Sequence, residues 1–533
     1  MIALGFGLIL LLVPSGWFAW RYRAMPQLGS WHDDAIYWIS AHSLATDQGY
    51  VIEHLPAQPP QTKYPPLYSA LLSIVCRLGG AFPGNLTYAT ALQWSFTPFC
   101  FVLAWFWFRR CGFAIWPAWA LTALIALTPI TTLFAVSLMT ELPFTAVLLA
   151  LMLLIDRREI PARRALATGL LAAAAFLIRT NAIVLVIAVP VLLLSRRRYR
   201  QAAMFVAPML IAIIGWQGWC ATRAFHATDD INAYYTSYTA FYARTFSWSD
   251  LPHRMWANAD AVIESLARLV LFQSSDDPWI RALAWVMTAA AAAGVVSLTR
   301  RGIRYYPAFA VLLLAELLLW QYPPDQRFVY PLLPLYVAGL ATKLSEIASL
   351  AVRSWKTKTG ANRVAAVPVL LAIAALVVGS VWSMAQGTAV VLPDYFRERQ
   401  RQLARLQPVW QWISANTPVD ARFAACDDTL LYLYAHRRGY TEPILPGVVY
   451  GVQAETVPPY IAGLPALWRQ VGVTHVLLTD YDFLRDLHDL GHAKLAQLLS
   501  DPRRFRLLYS DGASKVYAVR SEPGAVTSKN DGH

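Results

Sequence analysis

The sequence predicts a polytopic α-helical membrane protein with about eleven transmembrane helices, followed by a small α/β domain. Hydrophobic residues make up 57% of the 533-residue chain and charged residues only 14%, whereas soluble proteins carry about 25% charged residues. Apolar segments of membrane-spanning length recur along roughly the first 385 residues. The formal net charge of +13 comes largely from Lys and Arg clusters between these segments. Such clusters indicate cytoplasmic loops and anionic lipid headgroups rather than a nucleic-acid partner.

The predicted spans follow from apolar runs of transmembrane length, taken together with their basic flanks. The first run lacks the basic start and the small-residue cleavage site of a signal peptide, so it is interpreted as a retained span. The apolar helix at 65–80 is too short to cross comfortably and is expected to lie along the membrane interface. The predicted spans are 2–20, 88–108, 113–134, the run from the turn SLMTELP to Asp156, 165–178, 182–194, 202–220, 282–298, 307–320, 329–340 and 364–384.

Basic clusters indicate which side of the membrane each loop faces. From Arg109 onward every strong cluster falls on one side of the predicted topology, including RRRYR at 196–200 and a basic loop at 343–363. By the positive-inside rule that side is the cytoplasm. Arg21 and Arg23 fall on the opposite side and are the one exception. The odd number of spans leaves the amino terminus inside and the carboxyl-terminal part of the chain outside.

The carboxyl-terminal part has the pattern of a small α/β domain. Leu and Trp recur at helical spacing in DYFRERQRQLARLQPVWQWISANTP. ARFAACDD, THVLLTD and FRLLYSDGASKVYAVR have the pattern of strands, the last as a hairpin around Asp511–Gly512. Neither GxGxxG nor GxxxxGKS occurs, so the domain has no nucleotide-binding signature. The five cysteines have no metal-ligand spacing and predict no disulfide framework.

These patterns predict three parts of the chain. The first is a transmembrane domain at 1–390 with external loops at 21–87 and 221–280. The second is an external α/β domain at 391–520. The third is a disordered tail at 521–533.

The predicted topology places several charged and polar residues on the same external face. A charge inside the hydrocarbon costs about 2.5–3.5 kcal/mol on insertion scales, so such residues tend to be paired or functional. A carboxylate can deprotonate an acceptor hydroxyl, and cations can hold a phosphate and stabilise its charge as it leaves. Because soluble nucleotide sugars are absent outside the cytoplasm, glycosyl transfer there would use a lipid-phosphate donor. The residues are Asp33 and Asp34 in SWHDDAIY, Lys63 and Tyr64 in QTKYPPLYSALL, Glu141 in SLMTELPF, Arg179 in FLIRTNA, and Asp325 and Arg327 in WQYPPDQRFVYPLLPLY.

Each of these residues also has an ordinary structural explanation when it is considered singly. The acidic pair suits the N-cap of a loop helix, and long basic side chains snorkel to the membrane interface. The aromatic residues at 234–256 suit an interface belt better than a sugar platform, and Glu316 is expected to pair with a buried polar group. The co-location of paired carboxylates and several cations on one face favours a functional site. Three histidines lack the i, i+4 spacing of a helical metal site: His32, His42 and His54.

Taken in order, these motifs resemble the GT-C class of integral-membrane glycosyltransferases. The resemblance is to the bacterial family 39 group, which is related to protein O-mannosyltransferases and to the aminoarabinose transferase of lipid A. HDDAIYWISAHSLATDQG is similar to the family's acidic pair in the first external loop, with Tyr37, Ala41 and Gly49 in the matching pattern. TKYPPLYSALL is similar to its Pro-Pro-Leu stretch, and RFVYPLLPLYVAGLA to its late Arg–Pro–Pro span. The resemblance covers the predicted transmembrane domain and, more loosely, the external domain.

The resemblance implies roles for individual residues. Asp33 would be the catalytic base and Asp34 its partner, which orients the acceptor or, together with Asp33, binds a divalent metal. Many relatives have Glu where this chain has Asp34, and Lys63 stands one residue further from the proline pair than in the Lys-Pro-Pro form. The donor phosphate would be bound by Lys63, Arg179 and Arg327, and the site would be lined by Tyr37, Tyr64, Glu141 and Asp325.

The resemblance also implies a reaction and a place in the cell. The enzyme would be an inverting hexosyl- or pentosyltransferase that uses a polyprenyl-phosphate sugar donor. Its acceptor would be a hydroxyl of a surface glycan, lipid or protein at the external membrane face. The protein would lie in the inner membrane of a bacterium, with the α/β domain in the periplasm.

Two other classes of protein fit part of the sequence. A transporter or flippase of a lipid-linked precursor would use the same cations and would need no base. The sequence shows no internal repeat and no pair of broken spans at corresponding positions, which disfavours a transporter. The second class is an assembly protein that recruits partners through the external domain. This function would not explain the acidic pair Asp33 and Asp34.

Overall fold

The chain forms two compact units. The computed structural model describes residues 2–157, 160–225, 230–237, 248–271, 277–357, 360–441, 457–483 and 488–520. The first unit comprises Met1–Gln27, Thr62–Ala224 and Tyr242–Arg397. The second unit comprises Leu28–Gln61, Phe225–Phe241 and Glu398–His533. We call Leu28–Gln61, which carries Asp33 and Asp34, the acidic loop. It belongs to the same unit as the carboxyl-terminal part of the chain.

The first unit is built of helices, and prolines start several of them. Pro66 and Pro129 each lie in the first turn of a helix, where the missing N–H of proline leaves no hydrogen bond unmade. The helices and helical turns are Ile2–Arg21, Pro66–Leu78, Leu86–Arg110, Ile115–Leu127, Pro129–Val136, Glu141–Ile155, Ala162–Ile178, Thr180–Val184, Leu185–Leu194, Tyr199–Thr222, Leu251–Arg268, Pro278–Arg300, Tyr305–Leu318, Gln326–Val329, Tyr330–Leu332, Leu333–Thr357, Gly360–Gln386, Gly387–Val391 and Leu392–Asn416, the last of which continues into the second unit.

Several of these helices have the length and composition of membrane spans. Among the described residues five helices qualify, and a sixth if the bent pair Ile115–Leu127 and Pro129–Val136, with 63° between its parts, counts as one span. Shorter apolar helices of 10–17 residues accompany them, such as Glu141–Ile155 and Tyr305–Leu318. The protein is an integral membrane protein, as the sequence predicts. The five long helices are Leu86–Arg110, Tyr199–Thr222, Pro278–Arg300, Gln326–Lys356 and Ala366–Asn416.

One predicted loop is helical instead. The prediction of a basic loop at 343–363 is wrong, because the helix Leu333–Thr357 runs through most of it and Gly360–Gln386 follows. Lys343 and Glu346 lie one turn apart on this helix, with Nζ and Oε2 separated by 3.4 Å. Lys and Glu are good helix formers, so the charges extend the span beyond its apolar part instead of ending it.

Two spans of the first unit meet backbone to backbone. A Cβ atom on Gly294 would lie 1.8 Å from the carbonyl oxygen of Gly339. A Cβ atom on Gly339 would lie 2.4 Å from the carbonyl oxygen of Ala291. Small residues let membrane helices approach closely, and packing between them then supplies the attraction that the hydrophobic effect cannot supply in lipid. Glycine at both positions therefore sets the contact between Pro278–Arg300 and Leu333–Thr357.

The described residues of the second unit form a five-stranded mixed sheet. β1 is parallel to β2 and β3, whereas β5 is antiparallel to β3 and β4. The predicted strands and the hairpin around Asp511–Gly512 are confirmed, and Gly512 has the positive φ of 90° that glycine tolerates in such turns. β2 escapes prediction because three residues are too few to show an alternating pattern. In the order β2-β1-β3-β5-β4, the strands are β1 (Arg422–Ala425), β2 (Arg438–Tyr440), β3 (His475–Thr479), β4 (Phe505–Ser510) and β5 (Ser514–Val519).

Helices from three distant parts of the sequence complete the second unit. They include the loop helix Asp33–Ala45, which carries the acidic pair, and the anchor helix Asp428–Ala435, which follows β1. The predicted tail at 521–533 lies outside the described residues. The predicted boundary between the two main domains at 390 stays a prediction. The other helices are Asp230–Thr236, Val457–Val471 and His488–Leu499.

Candidate active site

The acidic pair lies at the start of the loop helix, after a tight turn, and its two members differ in environment. Asp34 is completely buried. Its Oδ1 accepts hydrogen bonds from the backbone N–H groups of Gly29, at 3.1 Å, and Ala35, at 2.8 Å, and its Oδ2 lies 3.2 Å from Gly29 N. Burial raises the pKa of Asp34 to about 7 even though these amides favour the anion. Asp34 therefore organises the turn.

Asp33 is the member of the pair that keeps solvent-exposed surface. It is half-buried and is the first residue of the loop helix. Its backbone N–H donates to the carbonyl oxygen of Trp31 at 2.6 Å. A negative charge in the first helical turn is favoured by the helix dipole. Tyr37, one turn further along the same helix, is buried.

In the first unit, Lys63 and Tyr64 come directly before the helix Pro66–Leu78. Both side chains are buried. Lys63 Nζ lies 5.4 Å from the centroid of the Tyr64 ring, within the range of a cation–π interaction. The pair thus places an ammonium group against an aromatic face.

A second cluster of the first unit brings together residues from three helix ends. Glu141 Oε1 lies 2.7 Å from Arg179 Nη1 and 3.2 Å from Arg327 Nε. Glu141 is completely buried, and the two arginine side chains are only 11% and 13% exposed. Thr140 Oγ1 accepts a further hydrogen bond from Arg179 at 3.2 Å. We call Glu141, Arg179 and Arg327 the Arg–Glu–Arg cluster; with all three ionised it carries one net positive charge.

Neighbouring residues hold this cluster in place. Asp325 Oδ1 accepts a hydrogen bond from the backbone N–H of Arg327 at 2.9 Å and so caps the short helix Gln326–Val329. The Arg179 guanidinium lies 5.5 Å from the centroid of the Phe328 ring. Glu316 accepts a hydrogen bond from Asn181 Nδ2 at 2.8 Å, which confirms the predicted pairing with a buried polar group. Within the described part of the chain, Glu141 Oε2 has no hydrogen-bond partner.

The sequence-predicted residues thus fall into three local groups. The first consists of Asp33, Asp34 and Tyr37 on the loop helix, in the second unit. Lys63 and Tyr64 form the second group, and the Arg–Glu–Arg cluster with Asp325 forms the third; both belong to the first unit.

Solved structures resemble this chain along most of its length. ArnT from Cupriavidus metallidurans in the apo state superposes with a TM-score of 0.50 at 14% identity, which covers 91% of this chain and 93% of ArnT. The same protein bound to undecaprenyl phosphate also gives a TM-score of 0.50, at 15% identity and the same coverage. The chain has the GT-C glycosyltransferase fold.

A further solved structure is similar in extent. It is the oligosaccharyltransferase of Archaeoglobus fulgidus in the apo form, with a TM-score of 0.49 at 12% identity over 97% of this chain and 75% of that protein. No family model matches the sequence. No curated protein matches it either.

The second unit has a buried cluster that the sequence does not predict. Asp428, the first residue of the anchor helix, is completely buried. Its Oδ1 lies 3.0 Å from His32 Nε2 and its Oδ2 lies 3.3 Å from His54 Nε2. The Tyr235 hydroxyl donates to Oδ2 at 2.5 Å. Burial alone would raise the pKa of Asp428, but the adjacent His54 and His32 bring it well below its usual value.

The signal for this cluster in the sequence is weak. Asp427 and Asp428 end the predicted strand ARFAACDD, and a carboxylate just past a strand is a common place for a functional side chain. His32 and His54 lack the i, i+4 spacing of a helical metal site, so the sequence does not single them out. His42 has a different partner: its Nδ1 lies 2.9 Å from the buried carboxylate of Glu53.

The acidic pair offers little to a divalent metal. Both oxygens of Asp34 are engaged by backbone N–H groups. Among the described residues, no group of three or more His, Cys, Asp and Glu side chains has the arrangement of a metal site.

Proposed function

We propose that the protein is an inverting glycosyltransferase that moves a sugar from a polyprenyl-phosphate donor to a hydroxyl acceptor. The observation that carries the proposal is the Arg–Glu–Arg cluster, a nearly buried pair of guanidinium groups on a GT-C fold. Guanidinium groups bind phosphate through several parallel hydrogen bonds. The likeness to ArnT, which has been solved with undecaprenyl phosphate bound, supports a donor of that class.

The proposed reaction uses one base and several cations. Asp33 takes the proton of the acceptor hydroxyl as the oxygen attacks the anomeric carbon from the side opposite the phosphate. The bond between the anomeric carbon and the phosphate oxygen breaks, and polyprenyl phosphate leaves with the bonding electrons. Lys63, Arg179 and Arg327 stabilise the charge that develops on the leaving phosphate.

The other predicted residues have supporting roles in this proposal. Asp34, through its hydrogen bonds to the turn, holds Asp33 at the start of the loop helix. Glu141 offsets the repulsion between the two guanidinium groups, a type of group that suits the oxygens of a phosphate. The residues that line the site are Tyr37, Tyr64, Glu141 and Asp325.

The proposal includes a topology. Each of the eleven predicted segments coincides with helical structure in the first unit, and we propose that all eleven span the membrane, with the shorter helices included. The amino terminus lies in the cytoplasm of a bacterium, and the predicted α/β domain at 391–520 lies in the periplasm. The acceptor is a surface glycan, a lipid or a protein hydroxyl.

A transfer assay tests the proposal directly. The purified protein is incubated with labelled polyprenyl-phosphate sugars, and released polyprenyl phosphate is measured, because a flippase releases none. Asp33→Asn should lower kcat by about 10²-fold or more, the contribution of a positioned general base. Asp47→Asn is the matched control, since Asp47 is an exposed carboxylate two residues beyond the end of the loop helix.

Two outcomes would contradict parts of the proposal. If Asp33→Asn turns over near the wild-type rate while Lys63→Ala abolishes turnover, Asp33 is not the base. If the wild-type protein releases no polyprenyl phosphate from any donor and instead moves the intact donor across a vesicle membrane, the protein is a flippase.

A further inference from the structure

The turn that precedes Asp33 has a strained backbone. The strained residue is His32, with a φ of 59°, whereas the φ of 87° at Gly29 is one that glycine adopts readily. Left-handed backbone is unfavourable for a residue with a Cβ atom, and it persists where the surroundings hold it. His32 is bonded directly to Asp33, so its backbone conformation sets the direction in which the Asp33 side chain leaves the turn.

The anchor helix contacts this turn at two points. Asp428 pairs with the ring of His32, with 3.0 Å between Oδ1 and Nε2. Leu430 packs against Gly29 so closely that a Cβ atom there would lie 2.8 Å from Leu430 Cγ. A third contact comes from Arg399, whose Nη2 donates to the carbonyl oxygen of Leu28 at 3.3 Å. The second unit therefore holds the turn at both ends.

Asp428 is itself fixed by further buried groups. His54 and Tyr235 contact its Oδ2, and its Oδ1 also accepts from the backbone N–H of Thr429 at 2.8 Å. The Tyr235 ring lies 5.7 Å from the His32 ring between centroids. These contacts restrain the position of the Asp428 carboxylate. Its contact with the His32 ring therefore restrains His32 as well.

The anchor helix also holds the far end of the acidic loop. Tyr432, one turn after Asp428, donates from its hydroxyl to Glu53 Oε2 at 3.1 Å. Beyond the helix, the backbone N–H of Gly439 donates to the carbonyl oxygen of His54 at 3.0 Å. The acidic loop is therefore held against the anchor helix and β2 at both of its ends. The contact between Asp428 and His32 is the one next to the proposed base, Asp33.

We propose that Asp428 is a positioning residue for the transfer reaction: through His32 it holds the turn that aims the Asp33 carboxylate. This inference rests on the proposed function, because it assumes that Asp33 is the base. General-base catalysis depends on a reach of about 2.6–3.2 Å to the proton that is abstracted. A displacement of about 1 Å at a reacting group can cost about 10²-fold in rate. Loosening the turn should therefore reduce kcat without touching the groups that bind the donor.

The test compares Asp428→Asn with Asp482→Asn. Asp482 is also a buried carboxylate of the second unit, but it accepts from the backbone N–H of Thr479 at 2.9 Å and from its hydroxyl at 2.7 Å. It controls for the replacement of a buried carboxyl group in the same unit. Asp428→Asn should lower kcat at least tenfold and change the KM for the donor less than twofold. Asp482→Asn should leave kcat within twofold of wild type.

A second measurement does not depend on activity. Hydrogen–deuterium exchange of the full-length protein reports on the backbone amides of 28–40. Asp428→Asn should speed their exchange at least tenfold, while Asp482→Asn should not. Unchanged exchange in Asp428→Asn would show that Asp428 does not hold the turn before Asp33. Faster exchange in Asp428→Asn with an unchanged kcat would show that Asp428 holds the turn but does not position Asp33 for catalysis. Absence of transfer by the wild-type protein would instead overturn the proposed function.

Discussion

Gly29 illustrates how one residue fixes the turn that precedes Asp33. Its φ of 87° suits glycine, and its Cα lies against Leu430 with no room for a methyl group. Gly49 has nearly the same φ, 86°, but open space around its Cα. The two glycines therefore separate the cost of the backbone conformation from the cost of the clash.

Alanine substitutions at these two positions should differ in effect. Gly49→Ala should destabilise the protein by about 1–2 kcal/mol, the cost of left-handed backbone for a residue with Cβ. Gly29→Ala should cost about 1–3 kcal/mol more, because the methyl group overpacks against Leu430. Denaturant unfolding of the second unit in detergent measures both. Equal losses would mean that Leu430 moves aside freely.

The sequence predicts the acidic pair but not the difference in burial between Asp33 and Asp34. Adjacent carboxylates look alike in a sequence, whereas their burial depends on what packs against them. Here the Gly29 N–H group turns back to Asp34 and leaves Asp33 with exposed surface. The pairing of His32 with Asp428 was equally out of reach, because the two residues lie 396 positions apart.

Among the elements, the junction of three helix ends in the first unit depends on one carboxylate. Glu141 begins one helix, Arg179 ends another, and Arg327 lies in the short helix that Asp325 caps. The sequence located each charged residue by the end of its apolar run. It could not show that a single oxygen of Glu141 serves both arginines, since that depends on how the helices pack.

Removing the charge of Glu141 should be costly. Glu141→Gln leaves two nearly buried guanidinium groups without a counter-charge, so we expect a loss of about 3 kcal/mol or more in the free energy of unfolding. Glu346→Gln is the matched control, since Glu346 also pairs with two cations, Arg301 at 3.0 Å and Lys343 at 3.4 Å, but is partly exposed. Glu346→Gln should lower the free energy of unfolding by at most about 1 kcal/mol.

Thermal unfolding in detergent, with and without polyprenyl phosphate, measures both variants. If the arginines bind the donor phosphate, the ligand supplies the missing negative charge. It should therefore stabilise Glu141→Gln more than it stabilises the wild type. Equal stabilisation of the two proteins would show that the phosphate binds elsewhere.

For the whole molecule, the sequence predicted the class of protein well because hydrophobic runs are local and long. The helix Leu333–Thr357 shows the limit of that reasoning. Its apolar run predicts the membrane part of the helix. Hydropathy marks where lipid contact ends and not where the helix ends, so the sequence wrongly predicts a loop at the charged end. The short strand β2 was missed because it is defined by its partner β1.

The proposed topology has its own test. In a variant without native cysteines, a single cysteine is placed either in the β4–β5 hairpin, as Asp511→Cys, or in a basic loop, as Arg200→Cys; both positions are exposed. In right-side-out bacterial vesicles an impermeant maleimide should label the hairpin cysteine only, and in inverted vesicles the other only. Labelling of both from one side would exclude an odd number of spans between them.

The contact between Gly294 and Gly339 limits how the first unit can move. Two helices that touch through their backbones cannot slide or rotate past each other without first separating by the width of a side chain. We therefore expect Pro278–Arg300 and Leu333–Thr357 to travel as one rigid body during turnover. Any opening that admits a lipid donor must then occur along other helix boundaries of this unit.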